Sequence, residues 1–295
     1  MSGTEISTPT APGLYGKLPA RGDFLSRRLD AQFIAAWDEW LQGVMRESRE
    51  RLGERWLECF LSMPVWRFAL PAGMYSSAGW VGLMVPSVDR VGRYFPLTIA
   101  APIPRDGIDV PATLAEALPW LDSVEALALG ALRPELDFDL FDQQLAGLPR
   151  PAEVACFAPS NDDTIPLGIP QASFQVFQLA PAATLNEVLG NRFHGGRCQS
   201  SALWVTKGGE AHAASLAVCG GPIPGERFCA LLDGAWQAHA WTLASSTDVT
   251  YCAAQNPGVR LGSRSGQGAG EGESGPLIAP PGSADGADMN TGLEK

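Results

Sequence analysis

The chain has 295 residues, of which 45% are hydrophobic and 18% charged, so it is long enough to bury one large core or two smaller ones. Its net charge of −11 opposes binding to nucleic acid or to an anionic membrane surface, because both attract an excess of Lys and Arg. Its longest apolar stretches fall far short of the ~20 residues that a membrane-spanning helix needs. Residues 1–12 lack the basic stretch and apolar run of a secretory signal. We therefore predict a cytoplasmic protein without membrane insertion.

The two ends of the chain differ in composition from the middle. Residues 1–12 are rich in Ser, Thr and Pro, and residues 258–295 are rich in Gly and contain no aromatic residue. Such segments bury too little apolar surface to offset the entropy lost on ordering them. We predict disorder at both ends and one α/β domain over residues 13–257. The prolines of residues 149–151 are the candidate point at which that domain would subdivide.

The first helix is predicted from apolar residues that recur at helical spacing. They are Phe33, Trp37, Leu41 and Val44. This spacing places them on one face of a helix that starts at Leu29 or Asp30, and Gly53 marks a break after it. A second long helix is predicted over residues 113–132, with an interruption at Pro119, whose ring removes a backbone donor and clashes with the preceding turn.

Strands are predicted wherever short runs of β-branched and aromatic residues are bounded by Pro or Gly. Those before the proline break are residues 65–70, 79–85 and 94–100, the last two as an antiparallel pair. Those after it are residues 154–158, 173–179, 202–205 and 213–219. Helices are predicted among them at residues 140–145, 184–189 and 225–232. This alternation favours an α/β fold in which helices cover a sheet.

Three histidines are available as catalytic bases. None of them lies in a recognisable motif. His212 and His239 lie in or beside apolar, strand-like segments and are interpreted as structural, whereas His194 lies in a loop and is the remaining catalytic candidate. A G-x-G-x-x-G match at residues 270–275 lies in the Gly-rich tail, without the strand that a dinucleotide site needs, and is interpreted as a coincidence.

Metal and cofactor binding receive no support from the sequence. The six cysteines are scattered, with no C-x-x-C pair and no His or Asp spaced to complete a zinc site, so we predict reduced thiols. We therefore expect no metal and no cofactor, and the residues form no recognisable catalytic constellation. The alternative is a cytosolic hydrolase or small-molecule-binding enzyme with His194 or a loop carboxylate in a pocket.

Two segments, residues 13–24 and 86–97, carry more charge than a core requires. Arg grips a carboxylate through two parallel hydrogen bonds, so Asp23 and Asp89 are candidates to pair with Arg93 or Arg28 and to fix the two loops together. The alternative is recognition of an acidic or phosphorylated partner surface. The candidate loop-fixing or partner-binding residues are Arg21, Asp23, Arg28, Asp89 and Arg93.

The same segments resemble the TagF (ImpM) family, whose members accompany bacterial type VI secretion systems. The resemblance rests on four strings in the family's order, GKLPARGDF, WDEWLQ, PVWRFAL and PSVDRVGRYFPLT. Two later strings, ALWVTKG and PGERFCALLDG, are also similar to the family. The region of similarity runs over residues 13–234 and leaves the tail outside.

The resemblance implies a three-layer α/β/α sandwich with a mixed sheet. It also implies a cytoplasmic, non-enzymatic protein that represses type VI secretion after translation by binding the forkhead-associated scaffold protein. Some relatives are joined to a phosphatase domain of the PP2C type. This chain has no segment with the clustered Asp residues that such a metal enzyme needs, so phosphatase activity is not expected.

Overall fold

Nine short strands form one sheet in the computed structural model, which describes residues 11–103, 109–149, 151, 173–179, 189, 201–210 and 212–244. In chain order they are β1 (Gly13–Gly16), β2 (Leu25–Arg27), β3 (Trp66–Leu70), β4 (Gly79–Val85), β5 (Leu97–Ile103), β6 (Phe174–Gln178), β7 (Ala202–Thr206), β8 (Ser215–Cys219) and β9 (Thr242–Leu243). Their order across the sheet is β2-β1-β5-β4-β3-β7-β8-β6-β9. Among these described strands, only β6 and β9 run parallel, so the predicted mixed sheet is confirmed.

Helices cover both faces of this sheet. In chain order they are α1 (Ala31–Leu52), α2 (Trp56–Leu61), α3 (Val110–Ala131), α4 (Phe138–Ala146) and α5 (Gly225–Asp233). Helices α1, α2 and α5 contribute to one apolar cluster, and α3 and α4 contribute to the other. Because side chains alternate along a strand, Phe68 of β3 joins the first cluster and its neighbour Ala69 joins the second. The predicted three-layer α/β/α sandwich is confirmed.

Helix α1 begins and ends as its sequence predicts. The Asp30 carboxylate accepts a hydrogen bond from the backbone N–H of Gln32 at 2.6 Å, which caps the first turn. Gly53 ends the helix with a φ of 53°, a left-handed value that glycine adopts without steric cost. The four residues predicted to share its apolar face are all buried, namely Phe33, Trp37, Leu41 and Val44. Trp40, beside this stripe, donates its Nε1 hydrogen to the Ile223 carbonyl at 2.8 Å.

The predicted interruption at Pro119 is wrong, because α3 runs through this residue without a break. Pro119 lies on the exposed side of the helix, where a carbonyl that loses its partner can bind water. The opposite side is fixed to the sheet by buried residues before and after the proline, including Leu114, Ala117, Leu121 and Val124. This packing offsets the ~3 kcal/mol that an internal proline costs a helix.

Strand β3 joins the parts of the chain before and after residues 149–151. It pairs with β4 on one side and with β7 on the other, where Phe68 lies opposite Trp204. All the described residues belong to one compact unit, Met1–Gln255. The strand predicted at residues 154–158, the helix at 184–189 except for Leu189, and the tail at 258–295 lie outside the described residues.

Candidate functional site

The two charged segments meet at one end of the sheet. The first loop, residues 17–24, joins β1 to β2, and the second loop, residues 86–96, joins β4 to β5. They are neighbours because β1 pairs with β5, with Tyr15 opposite Thr98. Gly16 permits this close approach, since its φ is 138° and a Cβ there would overlap the Pro96 carbonyl. We name residues 17–24 and 86–96 together the loop pair.

Asp89 is the centre of the loop pair. Its Oδ2 lies 2.5 Å from Lys17 Nζ and 2.6 Å from Arg93 Nε, and both Lys17 and Asp89 are buried. Its Oδ1 accepts hydrogen bonds from the backbone N–H groups of Val91 at 3.0 Å and Arg93 at 2.9 Å. One carboxylate therefore satisfies donors from both loops and fixes the turn that follows it.

Further contacts cross from one loop to the other. The Arg90 N–H donates to the Arg21 carbonyl at 2.9 Å, and Ser87 Oγ donates to the Lys17 carbonyl at 2.7 Å. The Arg93 guanidinium donates to the Gly22 carbonyl. These bonds run mainly to backbone groups, so they define the path of both loops rather than the position of single side chains.

The five predicted site residues divide into two groups. Arg93 contacts both predicted aspartates, since Nη2 also lies 3.6 Å from Oδ1 of Asp23, which is 99% exposed. Arg21 joins this group through its backbone carbonyl. Arg28 pairs with neither aspartate. It holds both carboxylate oxygens of Asp142 on α4, at 2.7 and 3.0 Å.

An aromatic side chain completes the surface of the loop pair. The Phe24 ring stacks on Tyr15 with 5.8 Å between centroids, meets the edge of Phe95 at 4.8 Å, and has Lys17 Nζ 4.4 Å from its centre. Phe24 is nevertheless 45% exposed, and Val91 on the second loop is 66% exposed. Neither Phe24 nor Val91 is among the site residues predicted from the sequence. The sequence feature that could have identified them is that each is an apolar residue within one of the two charged segments.

The charge state of Asp89 supports its central role. Burial alone would raise its pKa, but the hydrogen bonds from Lys17, from the backbone and side chain of Arg93 and from the backbone of Val91 outweigh burial and hold the pKa well below its usual range. Ionised Asp89 therefore stabilises the folded state above its ordinary pKa of about 3.9, and that stabilisation is lost as the pH falls below this value.

We expect Asp89→Asn to lower the unfolding midpoint temperature, Tm, by several degrees at neutral pH, because Lys17 then remains as a buried cation without a counter-ion. The variant should also lose part of the acid sensitivity of the wild type below about pH 4. Thermal unfolding followed by circular dichroism measures both effects. Asp23→Asn, which removes the same charge from an exposed position, is the matched control. Equal Tm values for the two variants would contradict this role of Asp89.

The three histidines lie apart from the loop pair or outside the described residues. His239 lies 2.9 Å from Asp233 at the end of α5, and His212 is buried in the segment between β7 and β8. Burial lowers the pKa of His212, although Asp233 opposes this effect. His194 and the glycines of residues 270–275 lie outside the described residues. Within the described ranges, no group of His, Cys, Asp or Glu has the arrangement of a metal site.

Comparison with known proteins adds the family to this geometry. A family model described as TagF N-terminal domain, type VI secretion system-associated, matches residues 13–148. The fold is similar to that of PA0076 from Pseudomonas aeruginosa PAO1, whose crystal structure matches this chain with a TM-score of 0.60. The two sequences are 34% identical, and the match covers 76% of this chain and 94% of PA0076. The chain belongs to the TagF family. No curated protein matches it significantly.

The TagF match contains the whole loop pair and four of the strings that carried the resemblance. Helices α1, α2, α3 and α4 and strands β1 to β5 also fall within it, whereas α5 and strands β6 to β9 follow it. The TagF region therefore supplies the first five strands of a sheet that four later strands extend. In the described parts of this TagF-family chain, no helix is both long and apolar enough to cross a membrane.

Proposed function

We propose that this chain is a non-enzymatic, cytoplasmic repressor of type VI secretion that acts after translation by binding the forkhead-associated scaffold protein. The observation that carries the proposal is the match to a type VI secretion-associated family over residues 13–148. That match includes the loop pair, in which exposed apolar and charged side chains extend from a backbone that hydrogen bonds hold in place.

The geometry of the loop pair suits protein recognition. Binding costs less conformational entropy when the contact loops are already ordered, and here buried Asp89 orders both. Phe24 and Val91 offer apolar area, and the exposed charged residues Arg21 and Asp23 belong to the same loop as Phe24. An apolar centre within a polar rim is the usual arrangement of a specific protein interface.

Repression by binding requires no chemical step. A protein that sequesters a scaffold lowers the free scaffold concentration whenever it is present in comparable amount and above the dissociation constant, Kd. A Kd of about 1 μM corresponds to a binding free energy of about −8 kcal/mol, which a standard interface supplies. Sequestration predicts that repression scales with the ratio of the two proteins in the cell.

The test combines binding with secretion. We expect the purified chain to bind the full-length scaffold of the same bacterium in titration calorimetry, and deletion of its gene to raise type VI secretion. Val91→Asp should weaken binding by about tenfold and fail to restore repression. Leu129→Asp, at an exposed apolar position on α3, should behave as the wild type. Absence of binding at roughly tens of micromolar, together with unchanged secretion after deletion, would refute the proposal.

A further inference from the structure

The loop pair and the strand beside it are basic, although the chain as a whole has a net charge of −11. Residues 17–28 and 86–96 contain six basic and two acidic residues. The basic ones are Lys17, Arg21, Arg27, Arg28, Arg90 and Arg93. A local positive region on an acidic protein produces a field that attracts acidic groups to that place and repels them elsewhere.

Half of these positive charges already have acidic partners. Lys17 and Arg93 share Asp89, and Arg28 holds Asp142. The other three are Arg21, Arg27 and Arg90, all exposed. None of these three forms an ion pair with any acidic residue in the part of the chain that the structure describes.

The three arginines lie against two different neighbours. Arg21 and Arg27 lie over the ring of Phe138, with their guanidinium carbons 5.1 and 5.2 Å from its centre. The Arg90 guanidinium lies beside Gly22, on the other loop. We name Arg21, Phe24, Arg27, Arg90 and Val91 the basic loop face.

We propose that the basic loop face binds an unphosphorylated acidic segment of a partner protein, with carboxylates for the arginines and an apolar side chain for Phe24 and Val91. The arginine fork accepts a carboxylate through two hydrogen bonds. Charges at two places suit several carboxylates spaced along a segment, whereas a single phosphate group needs donors that converge on one point. In identifying that partner with the type VI scaffold, the inference rests on the function proposed above.

The rigidity of the face strengthens this inference. Arg21 and Arg90 are linked through their backbones at 2.9 Å, and Phe24 is stacked on Tyr15. The positions from which the side chains extend are therefore set before a partner arrives, which reduces the entropy lost on binding. Because the interacting charges are exposed, the affinity should fall as salt screens them.

The test uses the full-length chain and three synthetic peptides of equal length. The first contains Asp and Glu with a central Phe, the second carries one phosphothreonine and no other acid, and the third replaces every acid of the first by Lys. We expect fluorescence anisotropy to show binding of the first peptide, weaker at high salt. Arg21→Glu with Arg90→Glu should reduce that affinity, and the affinity for the intact scaffold, at least tenfold.

The matched control is Arg46→Glu with Arg55→Glu, which makes the same change in net charge at exposed positions outside the basic loop face. Unchanged affinity in this control supports the inference, as does unchanged Tm in both double variants. Preference for the phosphothreonine peptide, or equal loss of affinity in both double variants, would overturn it.

The two proposals fail in different ways. If the wild type binds the scaffold and the Arg21/Arg90 double variant binds it equally well, the inference about the basic loop face is wrong and the proposed function stands. If the wild type binds the acidic peptide through these arginines but does not bind the scaffold, the face is confirmed and the proposed partner is wrong.

Discussion

Replacing Trp37 with alanine is expected to lower the free energy of unfolding by about 4 kcal/mol. Trp37 is completely buried between α1 and the sheet, with the Phe33 and Phe68 rings at centroid distances of 5.3 and 5.2 Å. Its Nε1 hydrogen is donated to Thr98 Oγ1 at 2.9 Å. Alanine removes these contacts and leaves a cavity that the neighbouring rings fill only in part. Urea unfolding followed by circular dichroism measures the loss.

Variants of Thr98 separate the hydrogen bond from the packing. Thr98→Val keeps the volume but leaves the buried Trp37 N–H without an acceptor, so we expect a loss of about 1–3 kcal/mol. Thr98→Ser keeps the hydroxyl and should lose less. A Trp37→Ala protein as stable as Thr98→Ser would show that the indole is not central to this core.

Replacing Arg67 with methionine is also expected to have a large effect and to lower the free energy of unfolding by about 3 kcal/mol. Arg67 lies on β3 with only 4% of its side chain exposed. Its Nε donates to Glu125 Oε2 at 2.8 Å and its Nη2 to Asp122 Oδ1 at 2.6 Å, both on α3. Methionine retains the apolar stem but removes the cation that these carboxylates face. The loss is measurable by urea unfolding at neutral pH.

Lys207→Met is the matched control, because Lys207 Nζ lies 2.9 Å from the same Asp122 but the side chain is 63% exposed. We expect it to cost less than about 1 kcal/mol. Arg67→Lys keeps the charge without the planar fork and should be intermediate. Equal losses for Arg67→Met and Lys207→Met would indicate that burial does not strengthen this ion pair.

The same ion pairs make the stability of the fold depend on pH. Burial opposes ionisation of Asp122, but the hydrogen bonds from Arg67 and Lys207 outweigh it and lower its pKa. The ionised group therefore stabilises the fold above about pH 4, and this stabilisation is lost at lower pH. The Arg67→Met protein should lose stability less steeply than the wild type as the pH falls through this range.

The helices and strands that are predictable from the sequence are those with a clear local pattern of apolar residues. The apolar spacing after Asp30 identifies α1, and short runs of aromatic and β-branched residues bounded by Pro or Gly identify β3 and β4. The sequence predicts a loop where β1 lies. It has only four residues, two of them glycine, and its strand conformation depends on pairing with β5, which no local pattern reveals.

The contacts of Arg93 with Asp89 and Asp23 are predictable from the two charged segments, whereas the partners of Lys17 and Arg28 are not. Arg93 and Asp89 are four positions apart and do pair. Lys17 lies 72 positions from Asp89, and Asp142 lies 114 positions from Arg28, so both contacts follow from the sheet order rather than from any motif. The net charge of the chain does not predict the charge of this surface for the same reason. It is a sum over all residues, whereas the basic residues of the loop pair come from two segments that lie together only in the folded protein.

During synthesis, β3 leaves the ribosome well before β7, its neighbour in the finished sheet. At about 5–20 residues per second, the interval is on the order of ten seconds. Throughout that time, the backbone donors and acceptors along one edge of β3 have no strand to pair with. All five residues of β3 are buried in the finished fold. Until β7 arrives, the growing chain therefore exposes a strand edge to which other chains can add.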